Sequence, residues 1–517
     1  MATIGDQIVT LSQLKGFLYS NERLEISEKA IDRVKKNHQF LIDFSTDKII
    51  YGINTGFGPM AQYRVSDEER KNLQYNLIRS HCSGTGNILD PIFVKAAMIV
   101  RLNSFLIGKS GVHESLIFLL RDLINNNITP VIYEHGGVGA SGDLVQLAHL
   151  GQCLIGEGAV HYDGKICDAA EAFAQAGIKP ITIQIREGLA VMNGTSFMTG
   201  IGVVNLIQAQ NLVDWSINAA SLINELIASY DDYFSAELNE VKLHPGQRNV
   251  AAEIRKRLEG STLIKSRATH LYKKVDEMYF EDKVQEYYSI RCVPQVLGPI
   301  ADTIDYATQI IENEVNSVND NPVVDQETNN IYHGGNFHGD YISLEMDKVK
   351  IAVTKLAMLA ERQVNYLMNS KLNNMLPPFL NKGVLGLNFG LQGVQFTATS
   401  TVAECQTLAN PMYVHSIPNN NDNQDIVSMG TNAALLCSKV IENAYQVIAI
   451  ELMSITQAID ILNLTNRLSV HNSSVLAVIH TSFVPFTDDQ PKYKEIQKLL
   501  TKLRISAVHA LAPQHNQ

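Results

Sequence analysis

The stretch TNAALLCSKVIENAYQVIAIELMSITQAIDILNLTNRLSVHNSSVLAVIHTSFV, residues 431–484, contains neither glycine nor proline. Those two residues interrupt helices, glycine through lost backbone entropy and proline through a missing N–H and a ring clash. Charges in the stretch are confined to Lys439, Glu442, Glu451, Asp460 and Arg467, and apolar residues fall on more than one helical face. That pattern predicts a helix buried on several sides. Residues 203–244, 300–321 and 341–376 also lack glycine and proline. A 40-residue helix runs roughly 60 Å, and helices of such length need long neighbours, as in an elongated bundle. Shorter helices joined by polar turns are the competing reading.

Outward from these stretches the composition changes. In residues 1–200 glycines cluster at 52–58, 84–86, 136–142, 151–158 and 188–202 and separate shorter helical and extended pieces. The expected fold is therefore mainly α: a long-helix bundle over 201–517, a polar peripheral excursion near 245–290, and a smaller mixed N-terminal region over 1–200. The 517 residues are 45% hydrophobic and 18% charged, which suits a large core and excludes a disordered chain. A net charge of −11 without a basic run argues against nucleic acid and anionic membrane surfaces as partners. The N-terminus shows no signal-peptide pattern, and the apolar segment near 447–464 is broken by Glu451 and Asp460, which leaves too little between charges for a bilayer. Six cysteines with no CxxC pair offer neither a zinc knuckle nor a disulfide framework. A cytoplasmic protein is the expectation.

The most unusual local feature is His135-Gly136-Gly137-Val138-Gly139-Ala140-Ser141-Gly142-Asp143. Gly137-x-Gly139-x-x-Gly142 satisfies the dinucleotide fingerprint formally, and with it an NAD-dependent enzyme, but that pattern has meaning only between a strand and a helix of a βαβ unit. The preceding Thr129-Pro130-Val131-Ile132-Tyr133-Glu134 is a poor buried parallel strand. A different chemistry suits Ala140-Ser141-Gly142, whose side chains are all small and whose glycine nitrogen is unhindered. If a tight turn brings the Gly142 nitrogen against the Ala140 carbonyl carbon, the backbone can cyclise. Loss of water there and of the Ser141 hydroxyl gives an exocyclic methylene conjugated with an imidazolone, an electrophile.

Gly139-Ala140-Ser141-Gly142-Asp143-Leu144 resembles the signature of the aromatic amino acid ammonia-lyases and aminomutases that carry a methylidene-imidazolone (MIO) group. Five further motifs resemble the family in order: 51–58 (YGINTGFG), 193–195 (NGT), 285–292 (QEYYSIRC), 335–338 (GNFH) and 423–425 (NQD). The resemblance implies an MIO formed from Ala140, Ser141 and Gly142, with no metal and no nucleotide, and a homotetramer whose sites are shared between chains. It makes residues 1–200 the MIO-bearing catalytic region. Tyr51 is the implied base, on a glycine-rich loop able to close; a phenol ordinarily titrates near pH 10, so the role asks the site to ease proton loss. Arg291 is implied to grip the substrate carboxylate through its planar fork. Asn193, Gln285 and Tyr288 are expected beside the prosthetic group, where their donors can hold charge on the ring oxygen, with Asp143 in support. Asn336 and Phe337 should line the pocket, Glu404 should supply its carboxylate, and Asn423 and Gln424 should contact carboxylate and ring. His333, His338 and Asp340 are the residues a metal reading would use, at no recognised zinc spacing.

Substrate choice rests on two clues that pull apart. Ser80-His81 occupies the ring-selectivity position and resembles the histidine enzymes there; it can hydrogen-bond a phenol or an imidazole, whereas an unsubstituted phenyl would leave it unpaired. Asn423-Gln424-Asp425-Ile426 instead resembles the tyrosine and phenylalanine branches, the histidine enzymes typically carrying Gln-Glu-Asp-His. The combination resembles bacterial tyrosine ammonia-lyases most, giving L-tyrosine to trans-4-coumarate and ammonia as the expected reaction. L-Histidine to urocanate is the alternative, and an aminomutase would share every motif.

Overall fold

The computed structural model describes residues 2–20, 22–274, 276–280 and 283–506. The fold is mainly α, 58% helical. Four helices dominate: Ser196–Leu226 (31 residues), Val293–Val315 (23), Asp340–Met368 (29) and Gly430–Ile461 (32). Three lie largely on stretches poor in glycine and proline, while Val293–Val315 begins seven residues before such a stretch and carries Pro294, Gly298 and Pro299 in its first turns; the ends fall where that count gives no signal. Ser196–Leu226 stops inside the 203–244 run because Ala228 turns left-handed (φ +52°). The amides of Ala228 and Ser229 then reach back to the carbonyls of Glu225 and Asn224, which satisfies the last turn. Gly430–Ile461 ends the same way: Asn463 sits at φ +55°, and Asn463 and Leu464 donate to Asp460 and Ile459. A shorter helix, Val470–His480, follows it. The 431–484 stretch is thus two helices rather than one.

Helix Gly430–Ile461 corrects the reading of its apolar segment. By length and composition it is long enough and apolar enough to cross a membrane, since it starts well before Val447; 67% of its most apolar window is buried inside the protein. From Val447 to Ile459 its side chains are buried on every face, as an all-round apolar pattern requires.

The chain forms two compact units, each assembled from separated segments. The first comprises the chain up to Ile207 with Ala307–Asp347 and Pro411–Ser438; the second comprises Gln208–Tyr306, Lys348–Asn410 and the chain from Lys439 onward. All named strands belong to the first unit and all are short. Ala2–Ile4 pairs parallel with Leu24–Ile26. Thr85–Ile88 pairs antiparallel with Tyr133–His135, and Val323–Asp325 with Asn330–Tyr332. Thr129–Pro130, Ala159–Tyr162 and Lys165–Asp168 form a three-stranded antiparallel sheet. Its hairpin turns on Asp163-Gly164, both at positive φ, the conformation that a two-residue turn of matching twist needs.

The first unit is braced by a buried ion pair. Arg186 and Asp320 are fully buried and meet at 2.9 Å. Arg186 also donates to the Ser110 and Pro322 carbonyls, and the Ser110 hydroxyl donates to the other Asp320 oxygen at 3.1 Å. Three distant segments are thereby joined by one guanidinium. Asp320→Ala strands that charge and is expected to lower unfolding free energy by about 3–5 kcal/mol, measurable as a fall in the urea midpoint at unchanged m-value.

Candidate active site

The glycine-rich loop 136–143 lies in the first unit, between strand Tyr133–His135 and helix Leu144–Leu154. The strand before it pairs antiparallel with Thr85–Ile88, so no βαβ unit surrounds Gly137-x-Gly139-x-x-Gly142 and the dinucleotide reading fails. The glycines serve backbone contacts instead. Gly142 has φ +69° and bridges Gly194; a Cβ at Gly142 would lie 1.9 Å from the Gly194 carbonyl oxygen. Gly139 has φ +76°, and a Cβ there would lie 2.1 Å from Ser428 Oγ.

Main-chain bonds seat the loop from several sides. Asp143 N donates to Gly194 O at 2.9 Å, Gly339 N to Gly139 O at 3.0 Å, and Met429 N to Val138 O at 3.0 Å. Ser428 Oγ adds a bond to Gly139 O at 3.1 Å. At the centre, Ser141 is held at both oxygens. Asn193 Nδ2 donates to its carbonyl at 3.0 Å, and Gln424 Nε2 donates to its hydroxyl at 2.8 Å. Asn193 is itself oriented by Asn321 N, which donates to Oδ1 at 2.8 Å. Small residues, a glycine in a left-handed turn and donors on both Ser141 oxygens fit a tripeptide that cyclises and dehydrates.

Asp143 is fully buried at the start of helix Leu144–Leu154. It accepts from Met198 N at 2.8 Å, in the first turn of Ser196–Leu226, and from Thr431 Oγ1 at 2.5 Å. The structure thus joins Ala140, Ser141, Gly142, Asp143, Asn193 and Gln424 in one cluster.

Tyr51 lies on the loop preceding Gly58, whose amide donates to its hydroxyl at 3.1 Å, with Phe57 edge-on to its ring. The loop is tied to the segment before Asn193: Gln74 Nε2 donates to Gly52 O at 3.3 Å, and Leu189 N donates to Gln74 Oε1 at 3.1 Å. Ser80 and His81 end helix Arg70–His81. His81 Nδ1 bonds the Leu77 carbonyl at 2.9 Å and Ser80 Oγ at 3.0 Å. A carbonyl only accepts, so Nδ1 carries the hydrogen and Nε2 of the neutral ring is left as an acceptor.

Phe337 is half-buried in the turn beside Gly339, and Asn336 Nδ2 donates to Val318 O at 3.2 Å. His338 pairs with Asp340 at 3.1 Å and approaches Ile426 O at 3.3 Å. Among the described residues no group of three His, Cys, Asp or Glu side chains is placed to hold a metal. Asn423 is in the exposed turn 420–424, where its amide donates to Asn420 O.

Gln285, Tyr288, Arg291 and Glu404 belong to the second unit. Gln285 and Glu404 are exposed, and Tyr288 is 72% exposed. The Arg291 guanidinium lies 4.9 Å over the Tyr288 ring, with its Nε on Glu286 O at 2.9 Å. Glu404 accepts from Asn443 Nδ2 at 2.5 Å. Sequence reading missed Ser428, Thr431 and Arg101; Arg101 alone had a signal, as a cation in the apolar run of helix Pro91–Leu106.

The sequence profile of the aromatic amino acid lyases matches residues 9–481. A histidine ammonia-lyase of Treponema denticola is 36% identical over 499 residues, spanning 96% of each chain. A tyrosine ammonia-lyase of Cereibacter sphaeroides is 36% identical over 506 residues, again 96% of each. The crystal structure of a tyrosine aminomutase from Streptomyces globisporus superposes with a TM-score of 0.94 at 32% identity, covering 100% of this chain and 99% of that one.

Burial pushes the Asp143 carboxyl up to about 6, against the pull of the bonds from Thr431 and Met198. Unfolded, the group titrates near 4. Between those values the native state holds more protons, so its contribution to stability falls as pH rises from about 4 to about 6 and is constant above. Thr431→Val removes a donor to the ionised form and should extend that decline to higher pH. Urea midpoints from pH 4 to 8 will show the extension; an unchanged upper edge would refute the Thr431 contribution.

Proposed function

Because the chain belongs to the aromatic amino acid lyase family, we propose that it converts L-tyrosine to trans-4-coumarate and ammonia, using an MIO made from Ala140, Ser141 and Gly142. The observation that carries the electrophile is the double grip on Ser141, amide donors from Asn193 and Gln424 on its carbonyl and hydroxyl. The group, when present, supplies an electrophilic methylene that takes up the substrate covalently and turns a poor leaving group into a better one.

The chain's own residues supply the rest. Asn193 keeps a donor on the carbonyl oxygen where negative charge develops, in a buried setting where such a bond is strong. Tyr51 takes the proton from the substrate Cβ, its oxygen positioned by Gly58 N on a glycine-rich loop that closes over the substrate. Arg291 grips the substrate carboxylate, Gln285 and Tyr288 stand at the ring, and Phe337, Glu404 and Asn423 line the pocket. Solvent-facing Gln285, Tyr288 and Glu404 on an isolated chain are what a homotetramer would leave if its sites are completed by other copies.

Tyrosine is favoured by two features together. His81 Nε2 is an acceptor for a phenol O–H, because Nδ1 is committed to Leu77. The Asn423-Gln424 end resembles the tyrosine and phenylalanine branches and presents a neutral amide to Ser141. Histidine is the second reading: the same Nε2 accepts from an imidazole N–H, and the similarity to a histidine ammonia-lyase spans 96% of the chain.

Intact protein mass should fall short of the translated chain by two waters, and Ser141→Ala should abolish both that deficit and turnover while the fold persists. An ultraviolet assay with tyrosine, histidine and phenylalanine in parallel should show coumarate forming fastest, with no β-amino acid on chromatography. Faster urocanate would overturn the tyrosine assignment, and accumulating β-tyrosine would make the protein an aminomutase. His81→Leu should shift preference from tyrosine toward phenylalanine by about tenfold, the worth of one hydrogen bond.

A further inference from the structure

Behind the Gly142–Gly194 bridge stands a guanidinium. Gly194 has φ +143°, and a Cβ there would lie 2.5 Å from Arg101 Nη1 and 2.6 Å from Asn319 Oδ1. Arg101 is wholly buried on the mostly apolar helix Pro91–Leu106, with the Asp320 and Asp143 carboxyls favouring its charge and Arg186 opposing it, none of them hydrogen-bonded to it. Its Nη2 donates to the carbonyls of Ala190 and Asn193, and its Nη1 to Asn319 Oδ1 at 2.8 Å. Ala190 lies near the C-terminal end of helix Glu187–Met192, where a cation meets the negative end of the peptide dipoles. Asn193 is the residue whose side chain holds the Ser141 carbonyl.

All these hydrogen-bond partners are neutral oxygens. A buried cation is costly to desolvate, and neutral acceptors offset that cost less than a bonded carboxylate would. What the arrangement achieves is placement: one rigid fork fixes the end of a helix, the Asn193 main chain and the back of Gly194. Arg101 remains cationic near neutrality, burial lowering it only to about 10.

We propose that Arg101, through Asn193 and Gly194, is a positioning residue for making the electrophile: it backs the 193–194 segment so that the tripeptide is held in the bent form that cyclises. This rests on the MIO reading above. In the step it promotes, the Gly142 nitrogen bonds to the Ala140 carbonyl carbon. The Ala140 oxygen departs as water with the amide hydrogens of Gly142 and Ser141, leaving a double bond between that carbon and the Ser141 nitrogen. The second water takes the Ser141 Oγ–H and the Cα hydrogen, leaving the methylene. No oxidant or reductant is needed.

The test follows mass rather than activity alone. Arg101→Lys keeps the charge but cannot span three acceptors with a planar fork, and Asn319→Ala removes one anchor while leaving Arg101 in place. Each variant is purified, checked for helical content and cooperative melting, and its mass followed on incubation beside wild type. Folded Arg101→Lys should lose its two waters at least tenfold more slowly than wild type, and Asn319→Ala should be slowed less. Complete dehydration at the wild-type pace in a folded variant overturns the proposal; should Arg101→Lys not fold, Asn319→Ala decides in the same way. A wild-type chain with no two-water deficit would instead overturn the electrophile reading itself.

Discussion

The contact on which the seating of residues 139–143 depends is one of absence: Gly142 and Gly194 meet backbone to backbone, with no room for a side chain on either. Close approach of two main chains requires both glycines, and the left-handed turn at Gly142 strains any other residue. From that contact the neighbouring geometry follows. Asp143 N bonds the Gly194 carbonyl, and Asn193, next in the chain, reaches Ser141. A larger residue at either glycine pushes apart the two segments across which Asn193 reaches Ser141.

Buried charge holds the contact in place. Arg186 with Asp320 ties residues 110, 186 and 320–322 together, and Arg101 ties 190, 193 and 319. Thus 319–322 is gripped by both guanidiniums, while 186–193 is gripped by one and carries the other. Such groups gain little over a well-packed apolar core in stability alone. They are directional, and a core of leucines is not. The unit's interior therefore trades some stability for a fixed backbone at the one place where main-chain atoms matter.

Much of the fold was legible in the sequence and parts of it were not, for physical reasons. Most of the long-helix length showed in missing glycine and proline, and helix Gly430–Ile461 in apolar residues on every face; the start of Val293–Val315 did not, since it carries Pro294, Gly298 and Pro299. The helix ends did not show, since Ala228 and Asn463 adopt the left-handed cap without the glycine that usually marks it. The tripeptide was legible because the cyclisation proposed for it demands small residues in one order. The competing nucleotide pattern was legible too, and only strand pairing separated them. Ser428 and Thr431 reach the loop from nearly 300 residues away in the chain, a proximity that local pattern cannot encode. Arg101 was visible as a charge in an apolar run, yet its three acceptors are main-chain or amide oxygens in other segments, which no local pattern announces.

The discontinuous first unit also sets a clock. Residues 140–142 leave the ribosome early, whereas Gln424, Ser428 and Thr431, which seat and grip that loop, emerge late. At translation rates of about 5–20 residues per second the interval is on the order of 15 to 60 s. Throughout it the tripeptide exists as ordinary nascent peptide, without the contacts that shape it. A chain abandoned before that point carries the three residues but not the late-made side chains that seat them.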